Sequence, residues 1–165
     1  MGLFEALKNK KEKNPFSISS PLNGKIIPQE EIEDKAFVDE AIGKGVGILV
    51  KNEMQTLVAP ISGVISMIFP TKHAIGICTD EGIEVLIHIG INTVELNGEY
   101  FEKHIEVGQK VKRGEKLVTV DFSNIRNKGF NTTTILLVTN YNKFGNIEFK
   151  YKDSLVGDII LEVEK

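Results

Sequence analysis

The chain has 165 residues, 41% of them apolar and 26% charged, with a net charge of −3. This suits a soluble globular protein of one domain with a sizeable core, or a domain plus a short tail, and no apolar run approaches the roughly 20 residues that span a bilayer. Only two of the 20 basic residues are arginines, Arg113 and Arg126, with no basic stripe among aromatics, so no nucleic-acid role is expected.

Residues 1–16 differ from the rest. "MGLFEALKNKKEKN" sets Leu3, Phe4 and Leu7 at helical spacing ahead of Lys8, Lys10, Lys11 and Lys13. The segment reads as a flexible tail in solution, with an amphipathic character that allows weak contact with an anionic membrane surface through residues 1–13. It has no long apolar region and no small-residue cleavage site, so no signal peptide is expected, and Ala6 departs from the myristoylation pattern. Cys78 is the single cysteine. It excludes an internal disulfide framework or a cysteine-based zinc cluster and favours a reducing cytoplasm, where the sequon at Asn131 is without meaning. The expected location is cytoplasmic, with peripheral contact at the inner face of the membrane. Pro15 closes the segment, because the residue before proline is biased out of helix.

From Phe16 onward the pattern is β. Short runs rich in Val, Ile and Thr ("GVGILV", "LVAPISGVISMIF", "AIGICTD", "EVLIHIGI", "KLVTVDF", "TTTILLVTNY", "DIILEVE") alternate with Gly, Pro and Asn. "NPFSISSPLNGK" (14–25) and "FSNIRNKGFN" (122–131) read as longer loops, and "QEEIEDKAFVDE" (29–40) as a brief helical turn. The expectation is an all-β, antiparallel sandwich or barrel-sandwich over residues 17–165, a single domain with short helical turns. "SPLNGKII" from Ser20 and "APISGVIS" from Ala59 share the pattern small-Pro-aliphatic-small-Gly-x-Ile, with Pro21 and Pro60 39 residues apart. They predict a duplicated β motif; generic Pro-x-x-Gly turn chemistry is the alternative. In "VGQKVKRGEKLVTVD" (107–121), Gly108 and Gly114 supply turns while Val111 and Leu117 point inward. That rhythm resembles the hairpins of lipoyl- and biotinyl-carrier domains.

Three histidines remain as chemistry. His104, in "YFEKHIEVG", sits among charges and reads as a surface residue. His73, in "FPTKHAIGI", follows Pro70, where the chain must turn or run along an edge. His88 lies within "GIEVLIHIGINTVELNG". Strand alternation puts Val85, Ile87, Ile89 and Ile91 on a core face, and Leu86, His88, Gly90 and Asn92 on the other, with Gly90 clearing space beside the imidazole. On these residues alone, a hydrogen-bonded packing histidine is a better reading than a nucleophile.

The longer pattern around His88 (glycine, two spacers, three aliphatics, histidine, aliphatic, glycine, aliphatic, any residue, threonine, aliphatic) resembles the active-site motif of the glucose-type IIA component of the bacterial phosphoenolpyruvate–sugar phosphotransferase system. "MGLFEALK", "LVAPISGVI", "PTKHAIGI", "VELNGEYFE" and "EVGQKVKRGEKLVTVD" follow in the family's order. The resemblance covers essentially the whole chain and is that of a stand-alone IIA protein. It implies that His88 accepts a phosphoryl group from the histidine-containing phosphocarrier protein and passes it to the IIB domain of a sugar permease. His73 would stabilise the phosphoryl oxygens and Thr71, two residues earlier and on the same face if the stretch is extended, would orient His73. Phe37, Ile42, Phe69, Leu86 and Val94 match the family's apolar docking rim, with simple core as the alternative for each. Asp34 matches a carboxylate that meets an arginine of the donor, while the other acids of 29–40 read as a solvated face. Asn92 and Asn142 stand where other members carry aspartates, removing negative charge near the site and altering affinity for a basic partner.

No cofactor is implied. A biotinyl or lipoyl carrier needs a lysine at a hairpin tip, and neither Lys72 in "PTKHA" nor Lys112 in "KVKRG" fits well. A zinc hydrolase needs about three protein ligands; with no His-x-His pair, no intrinsic metal is expected, although His73 and His88 could share zinc with a partner's carboxylate. "GKGVG" (43–47) lacks the full phosphate-loop pattern and reads as a turn.

Overall fold

The apolar runs become strands because β-branched side chains are stiff at χ1 and pack well on a pleated surface. A computed structural model describes residues 14–165. Its strands are β1 (Ser17–Ser19), β2 (Gly24–Pro28), β3 (Lys44–Val50), β4 (Met54–Val58), β5 (Gly63–Ile68), β6 (Ala74–Cys78), β7 (Glu84–His88), β8 (Phe101–Lys103), β9 (Lys110–Val111), β10 (Lys116–Asp121), β11 (Thr134–Val138), β12 (Ile147–Phe149), β13 (Asp153–Ser154) and β14 (Ile159–Val163). The large sheet runs β13-β2-β3-β11-β7-β6-β5-β9, and two smaller sheets run β1-β14-β12 and β4-β10-β8. Every pairing described is antiparallel. Ile18, Ile26, Ile48, Ile65, Ile77, Ile87, Val118, Leu136 and Leu161 fill one core between the sheets. A smaller cluster of Ile32, Phe37, Ile91, Ile135 and Leu137 covers part of the large sheet's outer face.

The two Pro-x-x-Gly motifs are copies of one unit, and they interlock. Ser19 N–H donates to the Pro60 carbonyl at 2.9 Å, and Val58 N–H to the Pro21 carbonyl at 3.1 Å. Ser20 N–H reaches Asp158 O at 2.8 Å, as Ala59 N–H reaches Glu115 O at 2.8 Å. A methyl group on Gly24 would lie 2.5 Å from the Leu49 carbonyl oxygen, and one on Gly63 would lie 2.5 Å from that of Cys78, so both glycines are fixed by backbone approach. The repeat extends to the whole large sheet, which is symmetric about the β11–β7 pair: Ile135 faces His88 and Leu137 faces Leu86. Matching Ile48↔Thr134 with Ile77↔Val85 makes Leu137 the counterpart of His88 and Lys44 the counterpart of His73.

Several local expectations change. Residues 14–25 contain β1 and the start of β2 rather than one loop. Residues 122–131 open with a helix, Phe122–Asn127, because Asp121 caps it by accepting the Asn124 N–H at 3.1 Å while Phe122 and Ile125 bury one face. The 29–40 stretch holds a 3-10 turn, Gln29–Glu31, and a single helical turn, Lys35–Val38, capped by Asp34 through the Ala36 N–H at 2.9 Å. Phe16, expected within the tail, is held by the fold: Val163 N–H donates to its carbonyl at 2.8 Å and its ring packs against the core. Leu3, Phe4, Leu7 and their lysines lie outside the described residues. Among the described residues no helix is long and apolar enough to cross a membrane.

Candidate functional site

The β5–β6 connection carries the first histidine. Phe69 accepts from Lys72 N–H at 2.8 Å, and its own N–H donates to the Ala74 carbonyl at 3.0 Å, so residues 69–73 form a tight turn with Pro70 at the position that suits its fixed φ. Lys72 takes φ +63°. The stretch is therefore not extended, and turn geometry rather than strand alternation brings Thr71 to His73. The Thr71 hydroxyl lies 2.7 Å from His73 Nδ1. His73 is only 2% exposed. Donation by the hydroxyl puts the ring proton on Nε2.

His88 ends β7 and pairs with Ala74 on one side and Ile135 on the other. Ile89 N–H donates to the His73 carbonyl at 2.7 Å, locking the two segments together. His88 Nδ1 lies 2.8 Å from the Gly90 carbonyl oxygen. A carbonyl only accepts, so Nδ1 carries the proton and Nε2 keeps its lone pair. The imidazoles of His73 and His88 have centroids 5.0 Å apart, nearly perpendicular at 85°. Phe37 leans on His88 at 4.9 Å, and Phe69 meets His73 edge-on at 5.2 Å.

Both rings are held neutral at pH 7. Burial, and then repulsion from His88, lowers the His73 pKa to about 4. Burial also lowers that of His88, opposed by its bond to the Gly90 carbonyl and by the Asp34 carboxylate. His88 is half-buried, so a neutral Nε2 lies beside the His73 ring, whose own Nε2 is a donor when the Thr71 hydroxyl donates to Nδ1.

The surrounding residues divide by exposure. Ile42, Phe69 and Val94 are 40%, 43% and 45% exposed, and Leu86 is half-buried on the His88 face. Phe37 is 7% exposed and belongs to the outer-face cluster, so it forms a wall of the site instead of an open rim. A depression of about 460 Å³ lined by Phe69, Pro70, Lys72 and Val107 flanks the turn. Asn92 is exposed with φ +61° at the entry to the 3-10 turn Thr93–Leu96. Asn142 is not beside the pair. It follows β11 at the end where Thr139 N–H bonds the Glu84 carbonyl, and Glu84 lies four strand steps of roughly 3.3 Å each from His88. His104 is exposed, with Nε2 2.7 Å from the Thr119 hydroxyl on the neighbouring strand.

Two expectations from strand alternation fail past His88. Gly90 adopts φ +76° and ends the alternation, so Ile91 joins the outer-face cluster and not the main core. The space at Gly90 serves Thr93, whose methyl would lie 2.5 Å from an added Cβ; the imidazole is not the close neighbour. The sequence also gave no notice of Gln29, a buried amide under the site, because a single Gln in a polar run carries no pattern.

An all-β antiparallel sandwich with only short helical turns is the fold of the glucose-type IIA proteins. The chain belongs to the family described as phosphoenolpyruvate-dependent sugar phosphotransferase system, EIIA 1, whose model matches residues 16–144. It is 40% identical over 149 residues to the PTS system beta-glucoside-specific EIIBCA component of Halalkalibacterium halodurans; the match takes in 90% of this chain and 23% of that relative's length. Among solved structures, the glucose permease IIA from Mycoplasma capricolum superposes with a TM-score of 0.79 at 36% identity, over 88% of this chain and 93% of that one. The chain thus carries a IIA module of the sugar phosphotransferase family, and the biotinyl-carrier and zinc-hydrolase readings are not favoured.

Proposed function

We propose that His88 is the phosphoryl acceptor. Its Nε2 attacks the phosphoryl group on the histidine-containing phosphocarrier protein; the new N–P bond forms as the donor's N–P bond breaks, and the group then passes to the IIB domain of a sugar permease. The observation that carries this reading is the pair itself: two neutral imidazoles 5.0 Å apart, each with Nδ1 engaged by its own chain so that both Nε2 atoms remain for chemistry. His73, oriented by Thr71, donates to the phosphoryl oxygens. Positioning and charge stabilisation of this kind supply most of the catalysis in a loose phosphoryl transfer. Ile42, Phe69, Leu86 and Val94 form the apolar docking rim around the phosphohistidine, Phe37 walls it, and Asp34 faces a basic donor surface. Asn92 lowers the negative charge of that surface next to His88, and Asn142 does so further out. The reaction runs in the cytoplasm, and residues 1–13 add a weak membrane-surface contact.

Incubation with phosphoenolpyruvate and the two general proteins of the system tests the assignment. Acid-labile phosphate should map to His88 and be lost in His88→Ala. His73→Gln should accept phosphate but hand it on poorly. Label elsewhere in the wild-type chain contradicts the first role, and efficient onward transfer by His73→Gln contradicts the second.

A further inference from the structure

Residues 29–43, between β2 and β3, leave the large sheet and return to it, carrying Asp34, Phe37 and Ile42 across its outer face. The backbone bonds within this excursion are short-range: Ile32 N–H to Gln29 O, Phe37 N–H to Asp34 O, and the side-chain caps on Ala36 and Ala41. An exposed bond, Asn131 Nδ2 to Glu33 at 3.3 Å, links it elsewhere. The buried polar link is the side chain of Gln29, 5% exposed. Its Nε2 donates to the Phe37 carbonyl at 2.6 Å and to the Gly43 carbonyl at 2.9 Å, and its Oε1 accepts the Gly45 N–H at 3.0 Å. Both amide protons and the oxygen are thus engaged. Gly45 is the fixed end of this clamp: it pairs with Leu137 in the sheet, where a Cβ would sit 1.9 Å from the Leu136 carbonyl oxygen.

We infer that Gln29 is a positioning residue for phosphoryl transfer: its amide pins the Phe37–Gly43 limb to β3 and so sets the Phe37 ring against the His88 imidazole. The inference rests on the reading of His88 as acceptor. No apolar side chain can replace the clamp, because two buried carbonyls and one N–H would lose their partners together. A carboxylate would keep the Gly45 bond but turn an oxygen toward two carbonyls. With the limb released, the apolar wall and Asp34 are no longer ordered before the donor arrives, and the cost of ordering them falls on binding.

Gln29→Met keeps side-chain length and removes all three bonds. Proton NMR should show the His88 ring signals losing the ring-current shift of Phe37 and moving to their positions in Phe37→Leu. In steady-state phosphorylation by the histidine-containing phosphocarrier, the KM for the donor should rise about fivefold or more, with kcat changed less. Val163→Ala, a core variant in β14, controls for lost stability and should leave both readings as in the wild type. Gln29→Glu is the second variant should the first not fold, with the same expected signs. Unchanged His88 signals and donor KM in a folded Gln29 variant overturn the inference, as does an equal KM rise in Val163→Ala. Wild-type protein that takes no label on His88 overturns the acceptor reading instead, a result that the NMR arm keeps separate.

Discussion

Lowering the pH from above 6.5 to about 4 should unfold this protein in part through one side chain, His73. In the unfolded chain its imidazole takes a proton near 6.5; in the folded protein burial and the neighbouring His88 delay protonation to about 4. Between these values the unfolded state holds more protons, so stability falls as pH falls. The contribution is complete above pH 6.5 and is lost on passing through about 4. At 1.36 kcal/mol per unit, the window corresponds to roughly 3 kcal/mol. That figure is an upper bound, because the repulsion from His88 acts only while both rings are charged. The lowered pKa of His88 adds a loss of the same sign. Urea unfolding of the wild type and His73→Gln across the window isolates the term, since Gln cannot titrate. The stability difference between them should shrink, relative to its value at neutral pH, by about 2–3 kcal/mol at the acid end. Parallel pH dependences of the two proteins, or an NMR titration of His73 near 6.5, would refute the reasoning.

Thr71→Val removes the hydroxyl at 2.7 Å from a buried ring nitrogen; it should cost about 1–2 kcal/mol in urea unfolding and mix the His73 tautomers seen by nitrogen NMR, whereas Thr71→Ser should retain one. Phe37→Ala opens the wall beside His88 and should cost about 3 kcal/mol, with the His88 pKa rising toward its ordinary value in an NMR titration as burial is lost. Gly45→Ala forces a methyl group to 1.9 Å from the Leu136 carbonyl in mid-sheet; thermal melts should show a loss above about 4 kcal/mol or no folded protein. Gly82→Ala, with φ +90° but open space around it, should cost no more than about 1–3 kcal/mol by the same measurement.

The strands were legible because their signal is local. Runs such as "EVLIHIGI" have a period and a composition that bias each residue toward a pleated, half-buried surface, whatever the rest of the chain does. The duplication was legible too, since Pro21 and Pro60 and the glycines after them sit in matched contexts, and the folded repeats use them alike. The helix Phe122–Asn127 was missed although Asp121 offered a cap; a six-residue helix shows too little periodicity to outweigh its Asn and Gly neighbours.

What the sequence by itself determined is the β architecture, the repeat, and the segments that bear His73 and His88, because strand preference, turn chemistry and a long motif are carried by neighbours in the chain. Tertiary structure decided the rest. Two symmetric half-sheets place Lys44 and Leu137 in one half and His73 and His88 in the other, so only one half has reactive groups to bring together. The meeting of the rings, the wall of Phe37 and the amide of Gln29 depend on register between distant strands and on exclusion of water, neither of which is encoded in any one stretch of chain. The lowered pKa values follow from the same cause: burial is a property of the packed sheets, and together with the close approach of the two rings it holds the pair neutral.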